Sequence, residues 1–200
     1  MVPRLCLITP DQGDLVLALG AALGALPPGA ALVQLRRKSA SAAGLFAEAR
    51  RLLPLCRSHG ARLLLNDRAD VALAAGADGV HLPSSGLPPA EARALLGPRA
   101  LLGVSCHSPG EVLFASRAGA DFCVFGPVFA TPGKSAQGLE ALRASVRAAP
   151  IAVLALGGVE PGNARAALET GAVGVACIRS VLGAPDPAAQ AALLWKALSQ

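Results

Sequence analysis

The chain is poor in aromatic residues, and its cysteines follow no paired pattern. It contains no Tyr and one Trp, and aromatic residues make up 3% of its 200 residues, so few rings are available for stacking nucleic-acid bases. The five cysteines are odd in number and include no C-x-x-C pair, which argues against a disulfide framework and against a zinc site. We therefore predict free cysteines in the core and no nucleic-acid partner.

Long apolar runs are also absent, although apolar residues are abundant. Hydrophobic residues make up 53% of the chain and the mean hydropathy is +0.51, yet no stretch reaches the ~18 uninterrupted apolar residues of a membrane-spanning helix. The short runs are typical of strands buried on both faces. The run within residues 1–10 is too short for a signal peptide. We predict a cytoplasmic protein with no membrane partner.

Charged residues are few, and their balance is basic. They make up 16% of the chain, the net charge is +5, and only three of the basic residues are lysine. No basic run is longer than Arg36-Arg37-Lys38. A basic balance without aromatic platforms favours small phosphorylated ligands over nucleic acid. The partners we predict are small phosphorylated substrates, with a homo-oligomer as an open alternative to a monomer.

A repeated junction indicates the fold. The sequence AGADGVHL at 75–82 is echoed by AGADFCVF at 118–125 and by TGAVGVAC at 170–177. In each copy an Ala-rich helical stretch ends at a Gly suited to the left-handed position after a helix, and an apolar run follows. The spacing between copies corresponds to about two β/α units.

The rest of the chain can be divided in the same way into eight strands with helices between them. This alternation predicts a parallel sheet. No G-x-G-x-x-G turn follows the first strand, which favours a closed barrel over an open doubly wound sheet. We predict a single-domain (β/α)8 TIM barrel over residues 1–200. The predicted strands are 4–9, 31–36, 62–66, 78–82, 100–105, 121–126, 151–156 and 173–178, and the predicted helices include 41–58, 88–96, 109–118, 161–170 and 186–198.

Polar residues follow most of the predicted strands. In a barrel the loops after the strands gather at one face, so these residues should converge there. At the ends of the strands or in the loops after them lie Gln34, Arg36 and Lys38 for strand 2, Asn66, Asp67 and Arg68 for strand 3, His81, Ser84 and Ser85 for strand 4, Ser105 and His107 for strand 5, Thr131 and Lys134 for strand 6, and Arg179 and Ser180 for strand 8, while strand 7 ends at the glycine pair Gly157 and Gly158.

Each of these residues also has a purely structural interpretation. Arg36 and Lys38 would be solvated at an ordinary strand end, and His81 and His107 would be hydrogen-bonded structural histidines. Asp67 would cap the helix that follows it, and the glycine pair after strand 7 would form a tight turn. The loop after strand 7 is, however, a habitual phosphate site in barrels, and the joint arrangement favours a binding site over these separate explanations.

Six motifs, in this order and at this spacing, resemble those of thiamine phosphate synthases and equally those of the related TenI-like thiazole tautomerases. Together they cover essentially the whole chain. The motifs are VQLRRK at 33–38, LNDRADVALA at 65–74, GADGVHL at 76–82, GVSCH at 103–107, GPVFAT at 126–131 with Lys134, and LGG at 156–158.

The resemblance implies a reaction and a set of site residues. Synthases of this kind join hydroxymethylpyrimidine diphosphate to thiazole phosphate and release pyrophosphate, and the catalytic residues implied here are His81, Ser105 and Lys134. The resemblance assigns pyrophosphate to Arg36, Lys38, Asn66, Ser105 and Lys134, the pyrimidine to Gln34, His81 and Thr131, Mg²⁺ to Asp67, and the thiazole phosphate to Gly158, Ile178, Arg179 and Ser180.

The chain departs from the synthase pattern at three positions. Gly86 stands where the family usually has a second Mg²⁺ carboxylate, Gly133 replaces a threonine, and Arg179 replaces a small serine. One carboxylate together with substrate phosphates can hold Mg²⁺, so Mg²⁺ is the expected cofactor, bound weakly.

The same departures leave the function open. The sequence PSS at 83–85 resembles the tautomerase branch, but Pro127 stands where that branch has its proton-transfer histidine. We predict an enzyme, a thiamine phosphate synthase; the alternatives are a thiazole tautomerase and a non-catalytic homologue that binds phosphate ligands.

Overall fold

The computed structural model describes residues 2–11, 13–148 and 150–199, and its strands close into one parallel barrel in sequence order. Each strand pairs with the next, and β8 returns to pair with β1, with Leu5 opposite Val175. The closed parallel barrel confirms the predicted fold class. The elements are β1 (Leu5–Ile8), α1 (Leu15–Gly24), β2 (Ala31–Leu35), α2 (Ala42–Ser58), β3 (Arg62–Asn66), α3 (Ala69–Ala75), β4 (Gly79–Leu82), α4 (Pro89–Leu96), β5 (Leu101–Cys106), α5 (Pro109–Arg117), β6 (Phe122–Phe125), α6 (Gly138–Ala148), β7 (Ala152–Leu156), α7 (Ala164–Leu168), β8 (Gly174–Cys177), α8 (Arg179–Leu182) and α9 (Pro187–Ser199).

The strands are buried on both faces, as their continuous apolar sequences predict. In β1, Leu5 and Leu7 pack in the layer between strands and helices, whereas Cys6 and Ile8 belong to the cluster inside the barrel. Successive side chains of a strand point to opposite faces, so both layers are filled from the same short run. All five cysteines are buried and free, as predicted.

Glycines end the helices at the repeated junctions. Gly76, Gly119 and Gly171 have positive φ values of 70°, 89° and 96°, which are accessible to glycine at little cost. The repeat in the sequence therefore marks three copies of one helix-to-strand turn, all at the end of the barrel away from the polar strand ends.

The predicted boundaries need correction at several places. Most strands differ from the prediction by one residue at one or both ends, and β5 extends to Cys106. The largest error is the helix predicted over 161–170, because α7 begins only at Ala164 and has five residues. The side chain of Asn163 accepts from the Glu160 amide at 2.9 Å and donates to the Gly158 carbonyl at 2.8 Å, which holds the preceding residues in a turn.

Candidate active site

Three adjacent cavities lie at the carboxyl ends of the strands, and every site residue proposed from the sequence lines at least one of them. The main cavity, of about 580 Å³, lies over the ends of β2 to β5 and the loop after β6. Its lining includes Gln34, Arg36, Lys38, Asn66, Asp67, His81, Ser105, Lys134 and Ile178. A second cavity of about 210 Å³ is lined by Thr131, Gly158, Ile178, Arg179 and Ser180. A third, of about 440 Å³, touches both of the others and is lined by Arg36, His107, Thr131, Lys134 and Arg179.

The basic residues of the main cavity differ in how far their charge is already engaged. Arg37 donates to both carboxylate oxygens of Glu48 at 2.9 and 2.8 Å, and these bonds raise the pKa of the Arg37 guanidinium. Arg68 forms an ion pair of 2.5 Å with Asp70, and that hydrogen bond lowers the pKa of Asp70 to about 2. Although both arginines line the cavity, their charges are largely compensated.

Three other cations are more available to an anionic ligand. Arg36 has one ion pair, a 3.4 Å contact between its Nη1 and Asp11 Oδ2. No side chain within residues 2–11, 13–148 and 150–199 forms a salt bridge with Lys38 or Lys134. The available positive charge of the cavity is therefore concentrated on Arg36, Lys38 and Lys134, three of the residues that the resemblance assigns to pyrophosphate.

Two residues that position the β2 loop were not recognised in the sequence. Asp11 Oδ1 accepts from the Lys38 backbone amide at 2.9 Å, while its Oδ2 contacts Arg36. Thr9 Oγ1 accepts from the Arg36 amide at 2.9 Å. The β1 loop thus holds the basic β2 loop in place. The sequence does contain a signal for them: Thr9 and Asp11 follow the first strand, and this places them at the same face of the barrel as the other site residues.

His81 lies at the floor of the main cavity. It is 2% exposed, its Nε2 is 2.9 Å from Ser105 Oγ, and its Nδ1 has no hydrogen-bond partner among the described residues. A Cβ atom on Gly103 would lie 2.6 Å from that Nδ1, so only glycine leaves room for the ring. Burial lowers the pKa of His81 from 6.5 to about 4, and the imidazole is neutral at physiological pH.

Next to His81, a buried amide pair joins β2 to β3. Gln34 is 2% exposed, and its Nε2 donates to Asn66 Oδ1 at 3.1 Å. This bond uses the carbonyl oxygen of the Asn66 side chain and leaves its NH₂ group as the donor for a ligand. The pair therefore presents a hydrogen-bond donor, which suits an acceptor-rich anion, at the end of β3.

Asp67 carries a carboxylate at the rim of the main cavity in an unusual backbone conformation. It is the one non-glycine residue of the described chain with positive φ, at 68°, and its amide donates to the His81 carbonyl at 2.9 Å. The structural interpretation of Asp67 as a helix cap is wrong, because the N-cap of α3 is Arg68 and makes no side-chain cap bond. Left-handed conformations of non-glycine residues often occur at functional sites.

The donors around Asp67 suit a Mg²⁺ ion held mostly by its ligand and by water. Gly86 adjoins this carboxylate, since a Cβ atom there would lie 2.7 Å from Asp67 Oδ1. In the described parts of the chain, no group of three or more His, Cys, Asp or Glu residues could hold a metal ion. One carboxylate and the hydroxyls of Ser84 and Ser85, which line the same cavity, are hard oxygen donors that fit Mg²⁺ when phosphate oxygens complete its shell.

The second cavity is formed largely by backbone. Gly157 and Gly158 have φ values of 96° and 63°, so their peptide groups turn in a way that other residues resist. The Ser180 hydroxyl is buried at this cavity, within reach of the Cys177 thiol, and can donate to a ligand there. Arg179 adds an exposed guanidinium at the border with the third cavity.

Comparisons with known proteins agree on one family. A family model described as thiamine monophosphate synthase matches residues 5–181. A relative from Geobacter sulfurreducens is 49% identical over 86% of this chain and 82% of its own length. The thiamine-phosphate synthase of Chlorobium phaeobacteroides is 43% identical over 92% of this chain and 91% of its own.

The solved structures give the same result. A thiamine phosphate pyrophosphorylase from Pyrococcus furiosus matches with a TM-score of 0.88 and 35% identity, over 98% of this chain and 95% of that protein. The similarity to this family confirms the resemblance drawn from the six motifs, and it favours the synthase over the tautomerase and the non-catalytic homologue. None of the helices in the described residues is long and apolar enough to cross a membrane.

Proposed function

The chain belongs to the thiamine monophosphate synthase family, and on this premise we propose that it joins hydroxymethylpyrimidine diphosphate to thiazole phosphate, forming thiamine phosphate and pyrophosphate. One observation on this chain supports the proposal. The main cavity, with its three available cations, adjoins a smaller cavity that offers backbone and hydroxyl groups. Two anions of different size can therefore bind side by side at one face of the barrel.

The main cavity suits the departing diphosphate. As the carbon–oxygen bond to the pyrimidine methylene breaks, its electron pair stays on the diphosphate, whose negative charge grows. Arg36, Lys38 and Lys134 can stabilise that charge in a site partly shielded from water. The Asn66 amide and the Ser105 hydroxyl can add neutral donors. These groups act most strongly when the charge has developed, which is the requirement for catalysis.

The pyrimidine side of the main cavity is the more buried one. Gln34 and His81 are both 2% exposed, and the His81 ring lies 5.8 Å from the ring of Phe122. A neutral His81 is suited to a cationic pyrimidine, because an imidazolium there would repel it. We assign Gln34 and His81 in the main cavity, and Thr131 where the second and third cavities meet, to this half of the substrate.

The second cavity suits the thiazole phosphate. Gly158, Ile178 and Ser180 would hold its phosphate group through backbone and hydroxyl donors, and Arg179 would add a positive charge at the border. The thiazole nitrogen would then face the third cavity, between the two anion sites. Its lone pair captures the pyrimidine cation to form the new carbon–nitrogen bond, and no proton has to be transferred in this step.

We propose Asp67 as the protein ligand of Mg²⁺. When bound, the ion would neutralise part of the diphosphate charge and help it to leave. Asp67 would be the protein's only carboxylate contribution, supported by the hydroxyls of Ser84 and Ser85. We also propose a cytoplasmic location, supported by five buried free thiols, which suit a reducing compartment.

The test is to incubate the purified protein with both substrates and Mg²⁺ and to follow thiamine phosphate and pyrophosphate. We expect both products in equal amounts. Lys134→Met should lower kcat/KM by at least about tenfold, because it removes a charged contact to the leaving group. Lys196→Met, which removes a lysine from α9, is the matched control and should leave turnover unchanged. Absence of thiamine phosphate at high protein concentration would contradict the proposal.

A further inference from the structure

A histidine outside the assigned site residues makes a short hydrogen bond whose direction is fixed by chemistry. His107 Nδ1 lies 2.6 Å from the carbonyl oxygen of Gly126. A carbonyl only accepts, so Nδ1 must carry the hydrogen. The His107 amide donates to Glu111 Oε2 at 2.8 Å, and the Ser108 hydroxyl accepts from the Glu111 amide, so a capping arrangement at the start of α5 fixes the residue that carries the ring.

The Gly126 carbonyl belongs to the base of the loop that carries Lys134. It accepts a second bond, from Gln137 Nε2 at 3.0 Å, and the Gln137 amide donates to the Pro127 carbonyl at 2.8 Å. The two ends of the loop are thereby joined. Near its tip, the backbones of Thr131 and Lys134 bond to each other at 3.2 and 3.0 Å. The loop is thus closed by hydrogen bonds both at its base and near its tip.

We propose that His107 is a positioning residue for Lys134: its Nδ1–H holds the Gly126 carbonyl and, through the closed loop, keeps Lys134 at the main cavity. The effect of this positioning on catalysis rests on the proposed function, whereas the positioning itself does not. The competing role would be that of a base acting through Nε2, because His107 lines two of the cavities. The proposed reaction breaks a carbon–oxygen bond and forms a carbon–nitrogen bond without a proton transfer, so it gives such a base nothing to remove.

Three substitutions separate the two roles. The amide nitrogen of Asn can take the place of Nδ1, that of Gln reaches towards the place of Nε2, and Phe replaces neither. Positioning predicts that His107→Asn keeps the affinity for inorganic pyrophosphate, measured by calorimetry. His107→Gln and His107→Phe should weaken it about three- to tenfold, the effect of one lost hydrogen bond. If Gln preserves function and Asn does not, the proposal is overturned.

A double substitution tests whether the effect passes through Lys134. In a Lys134→Met background, adding His107→Phe should cost little further pyrophosphate affinity, since the positioned group is already gone. If His107→Phe lowers the pyrophosphate affinity by the same factor in the Lys134→Met background as in the unaltered protein, the proposal is overturned, because His107 then acts independently of Lys134. Gln137→Ala, at the other donor to Gly126, should behave like His107→Phe.

Two measurements test the inference without activity or ligand. In ¹⁵N-histidine-labelled protein, with the three histidines assigned by single substitutions, His107 should be protonated at Nδ1; an Nε2–H tautomer overturns the proposal. Amide exchange in residues 127–137 should be faster in His107→Phe and His107→Gln than in His107→Asn, and equal exchange in all three also overturns it. If these outcomes hold but the unaltered protein makes no thiamine phosphate, the proposed function fails while the positioning of the loop stands.

Discussion

Replacing Gly158 by Ala tests whether the second cavity depends on the backbone that forms it. Gly158 has a φ of 63°, and a Cβ atom there would lie 2.7 Å from the Ala130 carbonyl oxygen and 2.8 Å from Phe129 Cβ. Both neighbours belong to the loop that carries Thr131 and lie closer to the new methyl group than van der Waals contact allows. The substitution must therefore strain the backbone and displace the neighbouring loop at once.

The magnitude is the sum of two effects. A left-handed conformation costs a non-glycine residue roughly 1–2 kcal/mol, and overpacking a well-packed site costs about 1–3 kcal/mol more. Gly76 provides the matched control, because its φ is 70° but no atom would lie within 4 Å of an added Cβ. We expect the free energy of unfolding to fall by about 2–5 kcal/mol in Gly158→Ala and by about 1–2 kcal/mol in Gly76→Ala.

Thermal unfolding and steady-state kinetics measure the two consequences. At about 2–4 °C per kcal/mol for a protein of this size, Tm should fall by about 4–20 °C in Gly158→Ala and by about 2–8 °C in Gly76→Ala. The KM for thiazole phosphate should rise only in Gly158→Ala, since Gly76 lies at the opposite end of the barrel. Equal decreases in Tm, with unchanged KM in both variants, would refute the argument that this glycine shapes the phosphate cavity.

Three further predictions concern charge. Gly86→Asp should place a carboxylate beside Asp67, and calorimetry should show Mg²⁺ affinity rising roughly tenfold or more, whereas Gly86→Asn should not raise it. Without Mg²⁺ both variants should lower Tm, because a side chain at position 86 crowds Asp67 and Pro83, but Gly86→Asp should lower it further through like-charge repulsion. Because burial lowers the pKa of His81 from 6.5 to about 4, the unfolded chain binds a proton in this range that the folded protein does not. The free energy of unfolding in urea should therefore fall as the pH drops through this window, and His81→Gln should remove that part of the slope. Arg179→Ser should raise the KM for thiazole phosphate about threefold or more without lowering kcat for bound substrate, since a charged contact made equally in the ground and transition states is lost; a fall in kcat alone would contradict this role.

The barrel could be predicted because its signals are local and repeated. Gly76, Gly119 and Gly171 each end a helix with positive φ and lie two or three residues before a buried run. Few architectures give each of eight such strands a pairing partner on both sides. The convergence of the site residues followed from the same topology, since the residue after each strand must lie at one face of a parallel barrel.

What could not be predicted is which side chains are already engaged with one another. Arg37 is paired with Glu48 and Arg68 with Asp70, so these two arginines are structural rather than available to a ligand. Nothing in the sequences RRK or NDR distinguishes a paired arginine from a free one. The helix predicted over 161–170 failed because the Asn163 side chain holds a turn with Glu160, although Pro161 is a typical first-turn residue. The sequence indicated which residues meet, but it did not indicate which of them were already paired.

The glycine at position 86 changes the electrostatics of the main cavity as well as its metal donors. With two carboxylates, a bound Mg²⁺ would bring no net charge to the site, whereas with Asp67 alone the ion and its ligand together bring one positive charge. Even without the ion, the cavity has one negative charge fewer against Arg36, Lys38 and Lys134. With Asp67 as the single carboxylate, the protein would hold Mg²⁺ less strongly and would attract a diphosphate more strongly. In this chain the positions of the lysines and arginines should matter more for catalysis than the affinity for the ion, which gives weight to the residues that hold them in place, Asp11 at Arg36 and Lys38, and His107 at the base of the Lys134 loop.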